Sequence, residues 1–286
     1  MENILVLTDF SDGAFHAAEW ALKLAAQCRA NLILFHSYLG FPVIPYDTYT
    51  GRYLEPETTI RLDEEANKSL VKFAERVERK AEYGPEEFVP SVKTELGEGS
   101  LSVNVKDLIR QKKIGLVVMG ASDKTVFEHI LNGNKVAQVM ENVSVPLLIV
   151  PIKSTPVQLK KVAFAAGFDH AELHAFNELT QLSQLLDFDS DIVHIITGDE
   201  NGDEDVRRTL MNKLDKNVQK HKVNYKAVKG KNVVQSLANY CNNNECDLLA
   251  ITHHQYNVWR RLFYKSTTRE AIKDMDIPIL MFPAEA

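Results

Sequence analysis

The chain has 286 residues, 45% of them apolar and 25% charged, with a formal net charge of -6. This length has room for two domains of ordinary size, the composition is that of a soluble globular protein, and the acidic balance excludes nucleic acid and anionic membrane surfaces as expected partners. No apolar run reaches the roughly 18 residues a membrane helix requires, and three cysteines are too few for a disulfide framework.

The opening M-E-N-I-L-V-L-T-D-F enters a strand at once and leaves no room for a secretory leader, so a cytoplasmic location is expected. Ile4–Leu7 reads as a buried strand, and Thr8-Asp9-Phe10-Ser11-Asp12 as an abrupt polar turn with Ser11 as helix N-cap. Phe15, Ala18, Ala21, Leu22, Ala25 and Cys28 then recur at helical spacing as one buried face. Leu32–Phe35 is a second strand, 39–59 an irregular excursion, and Ile60–Lys80 a charged helix with Leu62, Ala66, Leu70, Phe73 and Val77 as its apolar stripe. A strand over Val89–Glu95, a helix over Ser102–Gln111, a strand over Leu116–Met119, a helix over Lys135–Glu141 and a strand over Val145–Val150 complete the first half.

After the link Lys153-Ser154-Thr155-Pro156 the order repeats. Strands are predicted at Val162–Ala165, Ile192–Ile196, Tyr225–Val228, Leu248–Ile251 and Ile277–Phe282. Helices are predicted through Leu173–Leu186, Val206–His221, Val233–Cys241 and Thr268–Met275. The repetition reaches the residues themselves. Val145–Pro151 is V-P-L-L-I-V-P and Ile277–Pro283, 132 residues later, is I-P-I-L-M-F-P. At the same offset Leu116–Gly120 falls on Leu248–Thr252, and Gly97-Glu98-Gly99 falls on Lys229-Gly230-Lys231, a register that runs without a gap back to Val92. Such self-similarity marks a duplicated unit.

Short apolar strands alternating with amphipathic helices make a parallel sheet covered on both faces. The expected fold is therefore α/β, two tandem doubly wound sandwiches over residues 1–151 and 159–286, each with a five-stranded parallel sheet. Sheets of this kind bind ligands beyond the carboxyl ends of their strands, where strand order reverses. Those ends carry Thr8-Asp9, His36-Ser37 and Met119-Gly120-Ala121-Ser122. Farther on, Gly133 precedes Asn134 and Lys135, where a helix start would offer free N–H groups to an anion. Asp9 can reach a ribose hydroxyl or a metal ion, and His36 is expected to line the cleft as a hydrogen-bonding residue.

With I-L-V-L-T-D-F-S at the start, L-I-L-F-H-S in the second strand, M-G at the fourth strand's tip and V-P-L-L-I-V-P at the close, the chain resembles the universal stress protein family over its whole length as a tandem pair. The resemblance implies an adenine nucleotide α-hydrolase-like fold, a non-enzymatic stress-response role, and ATP with Mg2+ as the ligand where one is bound. Nucleotide-binding members carry G-x2-G-x9-G-[S/T] after the fourth strand. Here Gly120 and Gly133 occupy the first and third glycine positions, Asp123 the second, and Asn134 the hydroxyl position. The implied nucleotide set is Thr8, Asp9, Ser37, Met119, Gly120, Ser122, Gly133, Asn134 and Lys135, with no catalytic or metal-ligating residue. Asp tolerates a left-handed conformation at a cost of up to about 1–2 kcal/mol. A carboxylate about 4 Å from a phosphate charge repels it by roughly 4 kcal/mol at an effective dielectric of about 20.

In the second half Asp9 corresponds to Gly167, Gly120 to Thr252, Asp123 to Gln255 and Gly133 to Lys265. No glycine of the pattern survives there, and Arg260, Arg261 and Lys265 read as a solvated basic loop. The alternative to a nucleotide binder is a nucleotide-free tandem module acting through protein contacts. An adenylyl-transferring enzyme would place a glycine- and serine-rich loop directly after the first strand, where this chain has T-D-F-S-D. His170 and His174 have chelating i, i+4 spacing but no adjacent Glu to complete a metalloprotease motif. Cys241 and Cys246 show no activating partner in the sequence and read as packing thiols. The Pro-bracketed last strands suit sheet edges. Family members dimerise through this strand, so the two halves are expected to pair through it as an intramolecular pseudo-dimer, with homodimerisation of whole chains as a further option.

Overall fold

The first half of the chain lays down, in order, β1 (Asn3–Leu7), α1 (Asp12–Cys28), β2 (Asn31–Tyr38), β3 (Tyr46–Asp47), β4 (Arg52–Tyr53), α2 (Glu57–Lys80), β5 (Val92–Glu98), α3 (Leu101–Lys112), β6 (Ile114–Gly120) and β7 (Leu147–Val150). The second half lays down β8 (Lys161–Ala165), α4 (Glu172–Leu186), β9 (Asp189–Ile196), β10 (Val223–Lys229), α5 (Val233–Asn243), β11 (Leu248–Thr252) and β12 (Ile279–Phe282). This computed structural model describes residues 1–38, 46–47, 52–53, 57–81, 83, 88–121, 138–140, 142–155, 158–167, 172–197, 208, 212, 222–253 and 276–283, the backbone alone at 46–47, 52–53 and 57–62.

Ten of these strands form one sheet in the order β10-β9-β8-β11-β12-β7-β6-β1-β2-β5. Within each half the order is third, second, first, fourth, fifth, and every pairing is parallel. The two expected five-stranded sets are therefore present but not separate. They join where β12 runs antiparallel to β7, with Ile279 opposite Ile149, Leu280 opposite Leu148 and Met281 opposite Leu147. Pro146 and Pro278 sit just before these strands, where a missing N–H costs no ladder bond. Their carbonyls accept from Val117 and Leu249 at 3.0 Å.

Side-chain alternation sorts the core into two layers. Ile4 and Val6 face the layer that holds Trp20, Leu70 and Phe176 from α1, α2 and α4. Leu5 and Leu7 face the layer that holds Val105, Ile109 and Leu237 from α3 and α5. With apolar side chains pointing to both faces, the central strands read as unbroken hydrophobic runs.

Ser11 caps α1 as expected, its hydroxyl accepting from the Ala14 N–H at 3.2 Å and donating to Asp9 Oδ1 at 2.5 Å. Ser11→Ala is expected to cost about 1 kcal/mol of stability, read from the urea unfolding midpoint.

Several predicted boundaries move. The long charged helix begins at Glu57 rather than Ile60, and the 39–59 excursion contains the two-residue pairing of β3 with β4. The third strand is Val92–Glu98 rather than Val89–Glu95, because Pro90 cannot join the ladder and the polar end of the strand pairs with β2 as far as Tyr38. β9 begins three residues earlier than read, at Asp189, because a buried network satisfies its polar start. The ungapped repeat register also needs correction. Gly99 N–H bonds to the Tyr38 carbonyl at 2.8 Å, and Gly230 N–H to the Ile196 carbonyl at 3.1 Å. Gly99 thus corresponds to Gly230, not Lys231, and one residue is inserted before the Asn232 cap of α5. Leu62 as a stripe residue, most of the Val206–His221 helix and the Thr268–Met275 helix lie outside the described residues.

Candidate functional site

The strand order of the first half reverses between β1 and β6, and a cleft of about 600 Å3 opens there beyond the strand ends. Thr8 and Asp9 follow β1, His36 and Ser37 come from the end of β2, Met119 and Gly120 from the tip of β6. Gly99, Ser100 and Leu101, where β5 passes into α3, complete the opposite wall, with Gln138 at the rim.

Hydrogen bonds fix the β1 tip. Thr8 Oγ1 accepts from the Phe10 N–H at 2.9 Å, and Asp9 Oδ1 accepts from both the N–H and the hydroxyl of Ser11. Together they hold Phe10 at φ 65°, a left-handed conformation that costs a bulky residue about 1–2 kcal/mol. Phe10 then stacks on His36 with ring centroids 4.3 Å apart. His36 Nδ1 lies 2.8 Å from the Thr8 carbonyl, which can only accept, so Nδ1 carries the hydrogen. The Ser37 hydroxyl donates to the Gly99 carbonyl at 2.8 Å.

On the far wall Ser100 takes the N-cap backbone conformation of α3 without a side-chain capping bond. This 12-residue helix thus starts at the cleft lining, at Ser100 and Leu101, without a side-chain cap. Asp9 is exposed and brings a carboxylate to the near wall. Among the described lining residues there is no Lys or Arg.

Gly120 is required by close packing. A β-carbon there would run into the Gly13 carbonyl and stand 2.8 Å from the Ala14 nitrogen, and one at Gly13 would meet the Ala121 carbonyl oxygen at 2.8 Å. The two glycines let the first turn of α1 sit on the tip of β6, which sets the depth of the cleft.

The second half repeats this frame with different chemistry. His194 Nδ1 bonds to the Ala166 carbonyl at 2.9 Å, the counterpart of His36 and Thr8. Gly167 replaces Asp9, Ile195 replaces Ser37 and Thr252 replaces Gly120. Where the first half has Ala14, the second has Glu172, 1% exposed, whose carboxylate oxygens accept from the Gly167 N–H at 2.8 and 3.0 Å. A buried carboxyl group thus stands where the first half has Ala14.

Of the residues expected from the sequence, Thr8, Asp9, Ser37, Met119 and Gly120 meet in one cleft. Ser122, Gly133, Asn134 and Lys135 lie outside the described residues, as do Asp123, His170, Gln255, Arg260, Arg261 and Lys265. His174 has Glu178 Oε1 3.7 Å away, and among the described residues no cluster of His, Cys, Asp or Glu is arranged to hold a metal. No described helix is long and apolar enough to cross a membrane. Sequence reasoning missed Gly99 and Ser100 as lining residues. Their signal was a glycine followed by a capping serine directly after a strand.

Residues 1–151 match the sequence model of the universal stress protein family. Universal stress protein MJ0531 of Methanocaldococcus jannaschii is 28% identical over 149 residues, 52% of this chain and 81% of that protein. Among solved structures, a universal stress protein from Archaeoglobus fulgidus superposes with a TM-score of 0.70 at 14% identity, covering 98% of both chains, and so shares the fold. A universal stress protein solved in complex with cAMP is 18% identical over 53% of this chain and 98% of its own, with a TM-score of 0.38.

Proposed function

The chain belongs to the universal stress protein family, and on that premise we propose that its first half binds an adenine nucleotide, ATP with Mg2+, in a non-enzymatic stress-response role. The observation that carries this reading is the cleft at the strand-order reversal, with the Asp9 carboxylate on one wall and the uncapped start of α3 on the other. Its volume falls in the range of about 300–1,000 Å3 usual for small-molecule sites. Asp9 would accept from the ribose hydroxyls, or reach the Mg2+ that the phosphates carry. Thr8, Ser37, Met119 and Gly120 would shape the nucleoside pocket, and Ser122, Gly133, Asn134 and Lys135 would meet the phosphates. At the equivalent place in the second half the buried Glu172 carboxyl group stands where the first half has Ala14.

We also read the antiparallel pairing of β7 with β12 as the seam of a pseudo-dimer of the two halves. Association of whole chains is a separate question, answered by sedimentation.

Calorimetric titration of the full chain with ATP, ATP plus Mg2+, and cAMP tests the nucleotide reading. Saturable ATP binding is expected. Asp123→Gly should tighten it by about tenfold or more through removal of a repelling carboxylate. Asp9→Ala should weaken it about tenfold through loss of a charged acceptor. Flat titrations of folded wild-type protein with every nucleotide would replace this reading with the contact-only tandem module.

A further inference from the structure

We propose that Cys241 and Cys246 form a reversible redox pair, which a peroxide closes to a disulfide at the C-terminal end of α5. The geometry begins with the helix end. Glu245 has φ 52°, Cys246 N–H bonds to the Cys241 carbonyl at 3.0 Å, and Glu245 N–H reaches the Asn242 carbonyl at 3.5 Å. This is the Schellman arrangement, in which the side chains of the residues joined by the longer bond meet over the helix end. Here both are cysteines, buried and bonded thiol to thiol.

The internal repeat provides the control. The equivalent turn of the first half has Lys113 at φ 50°, and Ile109 and Ile114, both buried, stand where Cys241 and Cys246 stand. Packing at this position therefore requires only a pair of apolar side chains. The surroundings differ in the same direction. Positions held by Asn3, Ile33, Lys93 and Leu108 in the first half are Lys161, Asp191, Asn224 and Tyr240 in the second, and these four form one network. Lys161 Nζ lies 3.0 Å from Asp191 Oδ2, the Tyr240 hydroxyl donates to the same oxygen at 2.8 Å, and Asn224 donates to Asp191 Oδ1 at 3.0 Å.

The two thiols are unequal. The hydrogen bond from Cys241 holds Cys246 below the ordinary thiol range, against burial and with help from the Lys161 ammonium, while Asp191 and Asp247 oppose the shift. The same bond, followed by burial, pushes Cys241 up. Cys246 is thus the more acidic thiol and Cys241 the one that holds its proton more tightly, the division of labour a dithiol needs. A peroxide molecule is close to water in size. The exposed Asn242, Asn243 and Glu245 of the final turn, together with the Lys161 side chain, one-third exposed, give it a route as the turn frays.

In the reaction the Cys246 thiolate sulfur attacks one oxygen of hydrogen peroxide. The O–O bond breaks, the departing hydroxide takes up the proton Cys246 had released, and Cys246 becomes a sulfenic acid. The Cys241 sulfur then attacks the sulfenic sulfur, the S–S bond forms, and the S–OH group leaves with the Cys241 proton as water. Two thiols and one peroxide give one disulfide and two waters, with two electrons passing from sulfur to oxygen. A dithiol reductant reverses the step by exchange.

Peptide mapping of the full chain after hydrogen peroxide treatment and alkylation tests this directly. Both cysteines lie on one tryptic peptide, since no Lys or Arg stands between Asn232 and Arg260. That peptide is expected to lose about 2 Da, to resist alkylation, and to recover two alkylated thiols after dithiothreitol. In Cys241→Ser a dimedone adduct is expected on Cys246. The double variant Cys241→Ile with Cys246→Ile, copied from the first half, should keep the fold and abolish the mass shift. Oxidation landing on Cys28 instead, irreversible sulfonic acid on Cys246 in wild-type protein, or both thiols remaining alkylatable would overturn the proposal. The wild-type map decides the matter even if a variant fails to fold.

Discussion

A Lys161→Met variant is expected to lose about 3–5 kcal/mol of unfolding free energy at neutral pH, because it leaves a buried carboxylate without its cation. The Asp191 side chain is only 2% exposed. Burial alone would push its pKa up. The hydrogen bonds from Asn224, Lys161 and Tyr240 outweigh burial and hold it below the ordinary carboxylate value of 3.8. A group depressed in the folded state contributes stability above its unfolded pKa and loses that contribution as pH falls through the folded one. Without Lys161 the balance shifts toward burial, the carboxyl rises, and the variant gains stability relative to wild type as pH falls. The gap between the two proteins should therefore be widest at neutral pH and narrow toward about pH 4. Urea unfolding at several pH values measures it. A loss that stays constant with pH would mean that only the packing of the lysine stem mattered.

Gly120→Ala is expected to cost about 1–3 kcal/mol and to weaken nucleotide binding with it. The added methyl would meet the Gly13 carbonyl and the Ala14 nitrogen, backbone atoms that can yield only if α1 moves as a body. That movement would carry Ala14 and the Ser11 cap away from the β6 tip and distort the cleft. Gly13→Ala should act in the same direction, since its β-carbon would meet the Ala121 carbonyl oxygen at 2.8 Å. Equilibrium unfolding and ATP titration on the same preparations separate the two effects. Wild-type stability in Gly120→Ala would show that the helix has slack at this contact, and any binding loss would then have to come from the ligand side.

Much of this was legible in the residues. The β1 tip could be read because each residue there acts on a near neighbour. Ser11 caps the turn it precedes, Thr8 bonds to Phe10, and Asp9 bonds to Ser11. The contact of Glu172 with Gly167 was not legible. The sequence shows an ordinary acidic residue near a helix start, and only the folded structure brings its carboxyl oxygens onto the Gly167 N–H. Lys161 was equally hidden as the partner of the cysteines, because it lies on another strand far away in sequence. The slip between Gly99 and Gly230 escaped notice because edge strands carry little apolar pattern to fix their register.

Alone, the sequence determined the alternation of strands and helices, the duplication, and the placing of polar residues at strand ends. These follow from side-chain periodicity and from bonds between near neighbours. The pairing of the two halves through their last strands was expected, but only the tertiary structure decided its antiparallel register, Leu147–Ile149 against Ile279–Met281, which makes the two five-stranded sets one sheet. It alone decided that the Glu172 carboxyl group turns onto the Gly167 N–H where the first half has Ala14, and that two cysteines meet beside Lys161. Those outcomes depend on which distant atoms come within a few ångströms, and the chain specifies that only once its hydrophobic faces have packed.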